Sequence, residues 1–233
     1  DTETEEIEKL FTENFILFDG ISSAALVDQY PQVKNPPPFM KNNYVTFGYF
    51  GAMHKVTNAI FLFWTEILKK VPNSKLIIKN SAVSNDRVKK KIIEKFLNQN
   101  ISKERILLIE STNWNEYLNY HNNIDISLST FPHNGGSTFL DSLIMGVPIL
   151  ILNSNERLCS QIGKSALRMM SLENLCIKNE NEYVYKYVNL SKDTKFLQQF
   201  RENSRKIIIE SNWYNQNNKN FFEKFLLNII YEN

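Results

Sequence analysis

The chain is short of the residues that build specialised scaffolds. It has only two cysteines in 233 residues, Cys159 and Cys176. That count excludes a disulfide framework, and the absence of Cys-x-x-Cys spacing excludes a redox or zinc-ribbon motif. Both thiols are expected to be free and buried, in a reducing compartment. The three histidines, His54, His121 and His133, are too scattered to suggest a zinc site. Neither sign of charge dominates. With 27 basic and 25 acidic residues the net charge is +2, which gives no reason to expect nucleic acid or an anionic membrane as a partner. No stretch reads as a signal peptide or a membrane span; the longest apolar run, 142–152, is broken by Gly146 and Pro148. A cytoplasmic location is expected. The chain starts at Asp1 rather than Met, as a segment processed or excised from a longer protein would.

What is present is an ordinary globular composition, 42% hydrophobic and 22% charged, enough for a sizeable core. Residues 1–43 read as a lead-in. They hold a short amphipathic stretch, EEIEKLF, then FILFDG, then the proline run NPPPF, which reads as an extended tether. From residue 44 the pattern alternates. Strands are expected at 44–50, 75–79, 105–110, 125–129 and 148–152, with a short one at 175–178. Helices are expected at 57–71, with Thr57 as N-cap, and at 85–100, 115–123 and 137–145. Further helices are expected near 156–170, 180–190, 193–210 and 215–231. Strand and helix alternating over short links imply right-handed βαβ units. The fold class is α/β: a doubly wound, Rossmann-like parallel sheet with helices on both faces and a helical C-terminal tail.

Ligands of such sheets bind beyond the carboxyl ends of the strands. The stretch DISLSTFPHNGGST places Gly135, Gly136, Ser137 and Thr138 there, between a strand and a helix start. A first helical turn has free N–H groups and a partial positive charge, which suit a phosphate. The glycines remove Cβ atoms that would hold an anion away, and Ser137 and Thr138 can cap the helix and donate hydroxyls. Asp141 lies one turn further on the same face. It would repel a phosphate at contact but could accept from sugar hydroxyls beside it. The plainer alternative is a tight Gly-Gly turn, with Asp141 only complementing the helix dipole. Lys55 favours the phosphate reading. It follows the first strand, immediately before the next helix, where its ammonium can reach a diphosphate.

Several ordered stretches together are similar to a known family: YVTFGYFGAMHK, ILKKVPNSKL, DISLSTFP, LDSLIMGVP and IKNENEYV. They resemble the C-terminal half of the catalytic region of the O-linked N-acetylglucosamine transferase and Spindly glycosyltransferases, from about residue 40 onward. The resemblance implies a GT-B architecture and makes 44–233 the nucleotide-sugar-binding, Rossmann-like domain. It implies that Lys55 contacts the diphosphate and stabilises the leaving group, that Gly135 to Thr138 form the phosphate-binding helix start, and that Asp141 binds the ribose. Thr112 and Tyr117, in STNWNEY, are implied to hold the base, Tyr117 standing where the family has a histidine that packs on it. His54, Trp114 and His133 are candidates to line the cleft, while His121 reads as a packing or surface residue.

The implied reaction is an inverting, metal-independent transfer of an N-acetylglucosamine-like sugar from a nucleoside diphosphate to an acceptor hydroxyl, expected on protein. No cofactor is expected beyond the nucleotide-sugar substrate, with a UDP-sugar favoured over a GDP-sugar. The N-terminal catalytic domain, with the family's proton-handling residues, is not in this sequence. The chain alone is therefore expected to be inactive. Three positions depart from the pattern of the uridine-using members: Ala52, Trp114 and Gly136. They keep open a noncatalytic nucleotide-sugar-binding module, and a GT-B transferase acting on glycan or lipid remains a further alternative.

Overall fold

The structure, a computed structural model, describes residues 12–13, 27–152, 158–214, 223–224, 226–228 and 230–231. The stretches EEIEKLF and FILFDG lie outside the described residues, as do much of the expected helix 215–231 and the side chain of Cys159.

Four strands, β1 (Thr46–Tyr49), β2 (Lys75–Lys79), β3 (Ile106–Ile109) and β4 (Ile126–Ser127), form a parallel sheet in the order β3-β2-β1-β4. A second parallel pair, β5 (Ile151–Leu152) and β6 (Cys176–Ile177), continues it. The link is a parallel bridge between Ser127 and Ile149, with Ser127 N–H donating to the Pro148 carbonyl at 2.9 Å. The resulting order 3-2-1-4-5-6 is that of the doubly wound dinucleotide folds. It reverses direction between β1 and β4, so the loops leaving those two strands open a crevice. The expected strand 148–152 begins late because Pro148 has no N–H to give to a ladder.

The connecting helices follow from local chemistry. Helices α1 (Pro38–Asn42), α2 (Asn58–Lys70), α3 (Asp86–Leu97) and α4 (Trp114–Tyr120) precede β4, and α5 (Ser137–Ile144) follows it. Then come α6 (Leu158–Met169), α7 (Tyr183–Lys192) and α8 (Thr194–Glu210). Side chains cap four of them: Thr57 accepts from Ile60 N–H, Asn85 from Arg87 and Val88, Asn113 from Glu116, and Asp193 from Phe196. Each such cap stabilises by roughly 1 kcal/mol. Helix α3 ends three residues short of the expected 100, where Asn100 turns left-handed at φ 60°.

The main core lies on one face of the sheet. Phe47, Leu76 and Ile78 point there against Ile60, Trp64, Ile67 and Leu68 of α2 and Phe96 of α3, all buried. Full burial of each such side chain contributes roughly 1.5–3 kcal/mol. A smaller cluster of Ile77, Ile124 and Val147 fills part of the other face. Gly48 permits it, since a Cβ there would lie 2.4 Å from Ile124 Cδ1. Beyond this cluster a groove runs toward the opposite edge of the sheet, lined by Lys34, Lys41, Lys75, Leu107 and Ile109 among others.

The lead-in differs from a tether. Pro37 and Pro38 are buried, and Pro38 opens α1, a position that suits its fixed φ and missing N–H. Val27 is 2% exposed within the core, and Phe39 N–H donates to Asp125 Oδ1 at 2.9 Å. From residue 27 on, the segment packs against the sheet.

Candidate functional site

The crevice at the β1–β4 reversal is built from two loops. The first leaves β1 and is tied down at both turns. Tyr49 donates its phenol hydrogen to the Ala52 carbonyl at 2.8 Å, and Asn80 Nδ2 donates to the Gly51 carbonyl at 2.9 Å. Burial pushes the Tyr49 phenol up to about 12, so it stays a donor at neutral pH. Lys55 ends the 3-10 turn of this loop, Met53–Lys55, and lines the crevice half-buried.

The second loop leaves β4. Ser129, Thr130, Asn134, Gly135 and Thr138 line the same crevice as Lys55. Thr130 Oγ1 donates to the His133 carbonyl at 2.8 Å, and Gly135 N–H donates to His133 Nδ1 at 3.2 Å. Gly135 is left-handed at φ +89°, and a Cβ on it would come 2.9 Å from Thr138 Oγ1. Gly136 takes the N-cap position of α5, with no side-chain cap. The expected capping by Ser137 or Thr138 therefore does not occur. Both lie inside the first turn, and a capping oxygen must sit one residue earlier. The first-turn amides of α5 lack the side-chain cap that α2, α3, α4 and α8 possess.

One turn on, Asp141 is 5% exposed. Its Oδ1 accepts from the Tyr30 hydroxyl at 2.6 Å and its Oδ2 from the Tyr117 hydroxyl at 3.0 Å. Burial raises the Asp141 carboxyl above the usual range, and the two phenol donors partly offset this. Burial, together with the carboxylate, also holds both phenols well above their ordinary range. Each phenol is thus the donor and the carboxylate the acceptor.

The sequence-expected residues fall into two adjoining groups. Lys55, Gly135 and Thr138 line the crevice, with Gly136 and Ser137 exposed at its helix start. Tyr117, Trp114 and Asp141 form a neighbouring cluster, joined to the crevice by Phe50, whose ring meets Tyr117 edge-on at 6.1 Å. Trp114 is 49% exposed and sits edge-on to Tyr30 at 5.4 Å. Thr112 is exposed, its hydroxyl turned to the Asn113 carbonyl, and His54 and His133 are exposed on the two loops. His121 is buried as a packing residue between Phe50 and Tyr117; burial drives its imidazole down to about 4, leaving it neutral at pH 7.

Two features were not legible in the sequence. Tyr30 sits in the lead-in, 111 residues from its carboxylate, and no local pattern marks it. Arg201, 2% exposed, donates to the carbonyls of His121, Ile124 and Met145 and so pins the back of the site. Among the described residues no cluster of His, Cys, Asp and Glu could hold a metal ion, and no helix is long and apolar enough to cross a membrane.

Comparison with known proteins bears on the family and the fold. Residues 37–223 match the family described as glycosyl transferase family 41. A Solanum lycopersicum relative named probable UDP-N-acetylglucosamine–peptide N-acetylglucosaminyltransferase SPINDLY is 32% identical over 177 residues, covering 76% of this chain and 19% of that protein. The chain thus spans about a fifth of the length of the curated relatives it matches. Among solved structures, a Thermobaculum terrenum O-GlcNAc transferase superposes with a TM-score of 0.71 at 22% identity, over 79% of this chain and 35% of that one. The C-terminal domain of a Francisella tularensis glycosyl transferase group 1 protein superposes with a TM-score of 0.54 at 16% identity, over 80% of this chain and 96% of that domain. These two likenesses show the fold, and the sequence match shows the family: the chain belongs to glycosyl transferase family 41.

Proposed function

We propose that this chain is the donor-binding domain of an inverting, metal-independent glycosyltransferase. Its donor is a nucleoside diphosphate sugar, UDP-linked in preference to GDP-linked, and its sugar resembles N-acetylglucosamine. The acceptor is a hydroxyl group on protein, and the setting is the cytoplasm. One observation carries the reading: Lys55 and the start of α5, which lacks a side-chain cap, line one crevice where the sheet order reverses. A diphosphate bound there meets an ammonium on one side and helix N–H groups on the other. The name of the tomato-genus relative supports a UDP-N-acetylglucosamine donor and a peptide acceptor.

In the transfer, the acceptor oxygen attacks the anomeric carbon from the face opposite the diphosphate. The bond from that carbon to the β-phosphate oxygen breaks, and the electron pair leaves on the diphosphate. Lys55 and the Gly136–Thr138 amides stabilise that charge, where preorganised donors are most effective. The acceptor proton goes to a base in the N-terminal catalytic half, which also completes the acceptor side. A second reading, a noncatalytic nucleotide-sugar-binding module, is favoured by Trp114, one of the positions that depart from the pattern of the uridine-using members, which stands half exposed.

Calorimetric titration with UDP and GDP tests the reading. Saturable binding of UDP, tighter than GDP, is expected. Binding of neither nucleotide would overturn the donor-site assignment, and tighter GDP binding would overturn the choice of base.

A further inference from the structure

The carboxylate expected to meet a ribose, Asp141, is already occupied by a group that chemically resembles one. Tyr30 Oη lies 2.6 Å from Asp141 Oδ1, as a donated hydroxyl of a bound sugar would, and Tyr117 takes the other oxygen at 3.0 Å. With both oxygens engaged, Asp141 is 5% exposed. A cis-diol arriving from the crevice meets a carboxylate that is buried and already bonded at each oxygen. We propose that Tyr30 is a latch on the nucleoside subsite: its phenol competes with the ribose hydroxyls of the ligand for Asp141, and nucleotide binding requires it to swing away. The proposal rests on the donor-site reading and adds a control element to it.

The anchoring of Tyr30 fits such a role. Its backbone is fixed, while its partly buried ring packs at the margin of the core and is bonded at the tip to Asp141. Arg205 donates to the Tyr30 carbonyl at 3.5 Å and to the Pro31 carbonyl, and Tyr30 N–H donates to the Val27 carbonyl at 3.1 Å. The ring touches Trp114 edge-on at 5.4 Å, and Trp114 is itself 49% exposed. Rotation about the side-chain bonds alone would release Asp141 without unseating the segment. Tyr117 differs. Its ring packs edge-on against both Phe50 and the buried His121, so it stays on Asp141 as a positioning group.

The test compares wild type with Tyr30→Phe, a change that removes one hydroxyl and keeps the ring. Both are titrated with UDP, with 2′,3′-dideoxy-UDP and with inorganic pyrophosphate. The latch predicts that Tyr30→Phe binds UDP about tenfold tighter than wild type, the scale of one charge-assisted hydrogen bond. The gain must vanish with the dideoxy nucleotide, which has no diol to offer, and with pyrophosphate, which never reaches Asp141. Equal or weaker UDP binding by Tyr30→Phe, in a variant that still binds pyrophosphate like wild type, would overturn the latch and leave the donor site standing. A gain that persists with the dideoxy nucleotide would also overturn it, by assigning Tyr30 a merely steric role. Failure of both proteins to bind any of the three ligands would overturn the donor site and the latch with it.

Discussion

Tyr187 receives the backbone N–H of Ser129 on its phenol oxygen at 3.0 Å and passes its own hydrogen to the Leu150 carbonyl at 3.1 Å. Ser129 lies just past the end of β4, where the ladder has stopped, so its buried backbone needs partners from elsewhere. One turn earlier on the same helix, Tyr183 donates to the Ser129 carbonyl at 2.6 Å. Two tyrosines of α7 thus complete the strand end from which the crevice loop departs. Tyr187→Phe leaves an N–H and a carbonyl unpaired in the interior and is expected to cost about 1–3 kcal/mol. In a chain of this size that lowers the melting temperature by roughly 3–10 °C, which a thermal melt followed by circular dichroism will read.

The two glycines ahead of α5 should respond differently to an added methyl group. Gly135 is left-handed, and its Cβ would press on Thr138 Oγ1. Gly135→Ala is therefore expected to destabilise by about 1–2 kcal/mol and to disorder the phosphate loop. A Cβ at Gly136 meets nothing within 4 Å, so Gly136→Ala should leave the melting temperature within roughly 2 °C of wild type. Parallel melts of the two variants decide the point.

Lys55→Ala removes the ammonium of the crevice that the start of α5 also lines. The account expects UDP affinity to fall by about 10- to 100-fold, the range of a lost charge-assisted contact, with the melting temperature unchanged. Calorimetry on the variant checks the affinity. An unaltered dissociation constant would take Lys55 out of the site.

His121 makes the fold acid-sensitive. Its imidazole is held at about 4, against 6.5 in the unfolded chain, chiefly by burial and also by Arg201. The folded value is depressed, so the contribution is complete above pH 6.5 and is lost as pH falls through 4. The full swing is about 3 kcal/mol. Asp125 acts in the opposite sense: its carboxyl is raised to about 6, mainly by burial, so its contribution is present at low pH and lost as pH rises through that value. Tyr117, the other titratable side chain against His121, stays protonated throughout. Comparing wild type with His121→Phe cancels the Asp125 effect. The stability gap between them should shrink in the acid direction from pH 7 to pH 4 in urea titrations.

The sheet was legible because its signals are local. KLIIK coincides with β2, and Thr57 caps α2 as its position before the apolar run implies. The crevice was legible for the same reason, since glycines between a strand and a helix and a lysine after β1 are short-range patterns. What escaped depends on tertiary partners. Nothing near Arg201 in sequence announces three carbonyls gathered from two distant loops. Nor does anything near Tyr30 announce that the lead-in folds back onto Asp141. The cap expected of Ser137 failed by a single position, because helix starts are set by the geometry of the preceding turn as well as by composition.

The central claim is that the diphosphate lies between Lys55 and the start of α5. Diffraction from crystals of the chain grown with UDP tests it most directly. The account predicts the diphosphate within hydrogen-bonding distance of Lys55 Nζ and of the Gly136–Thr138 amides. UDP lodged instead in the groove between Lys34, Lys41 and Lys75, with the crevice empty, would contradict it.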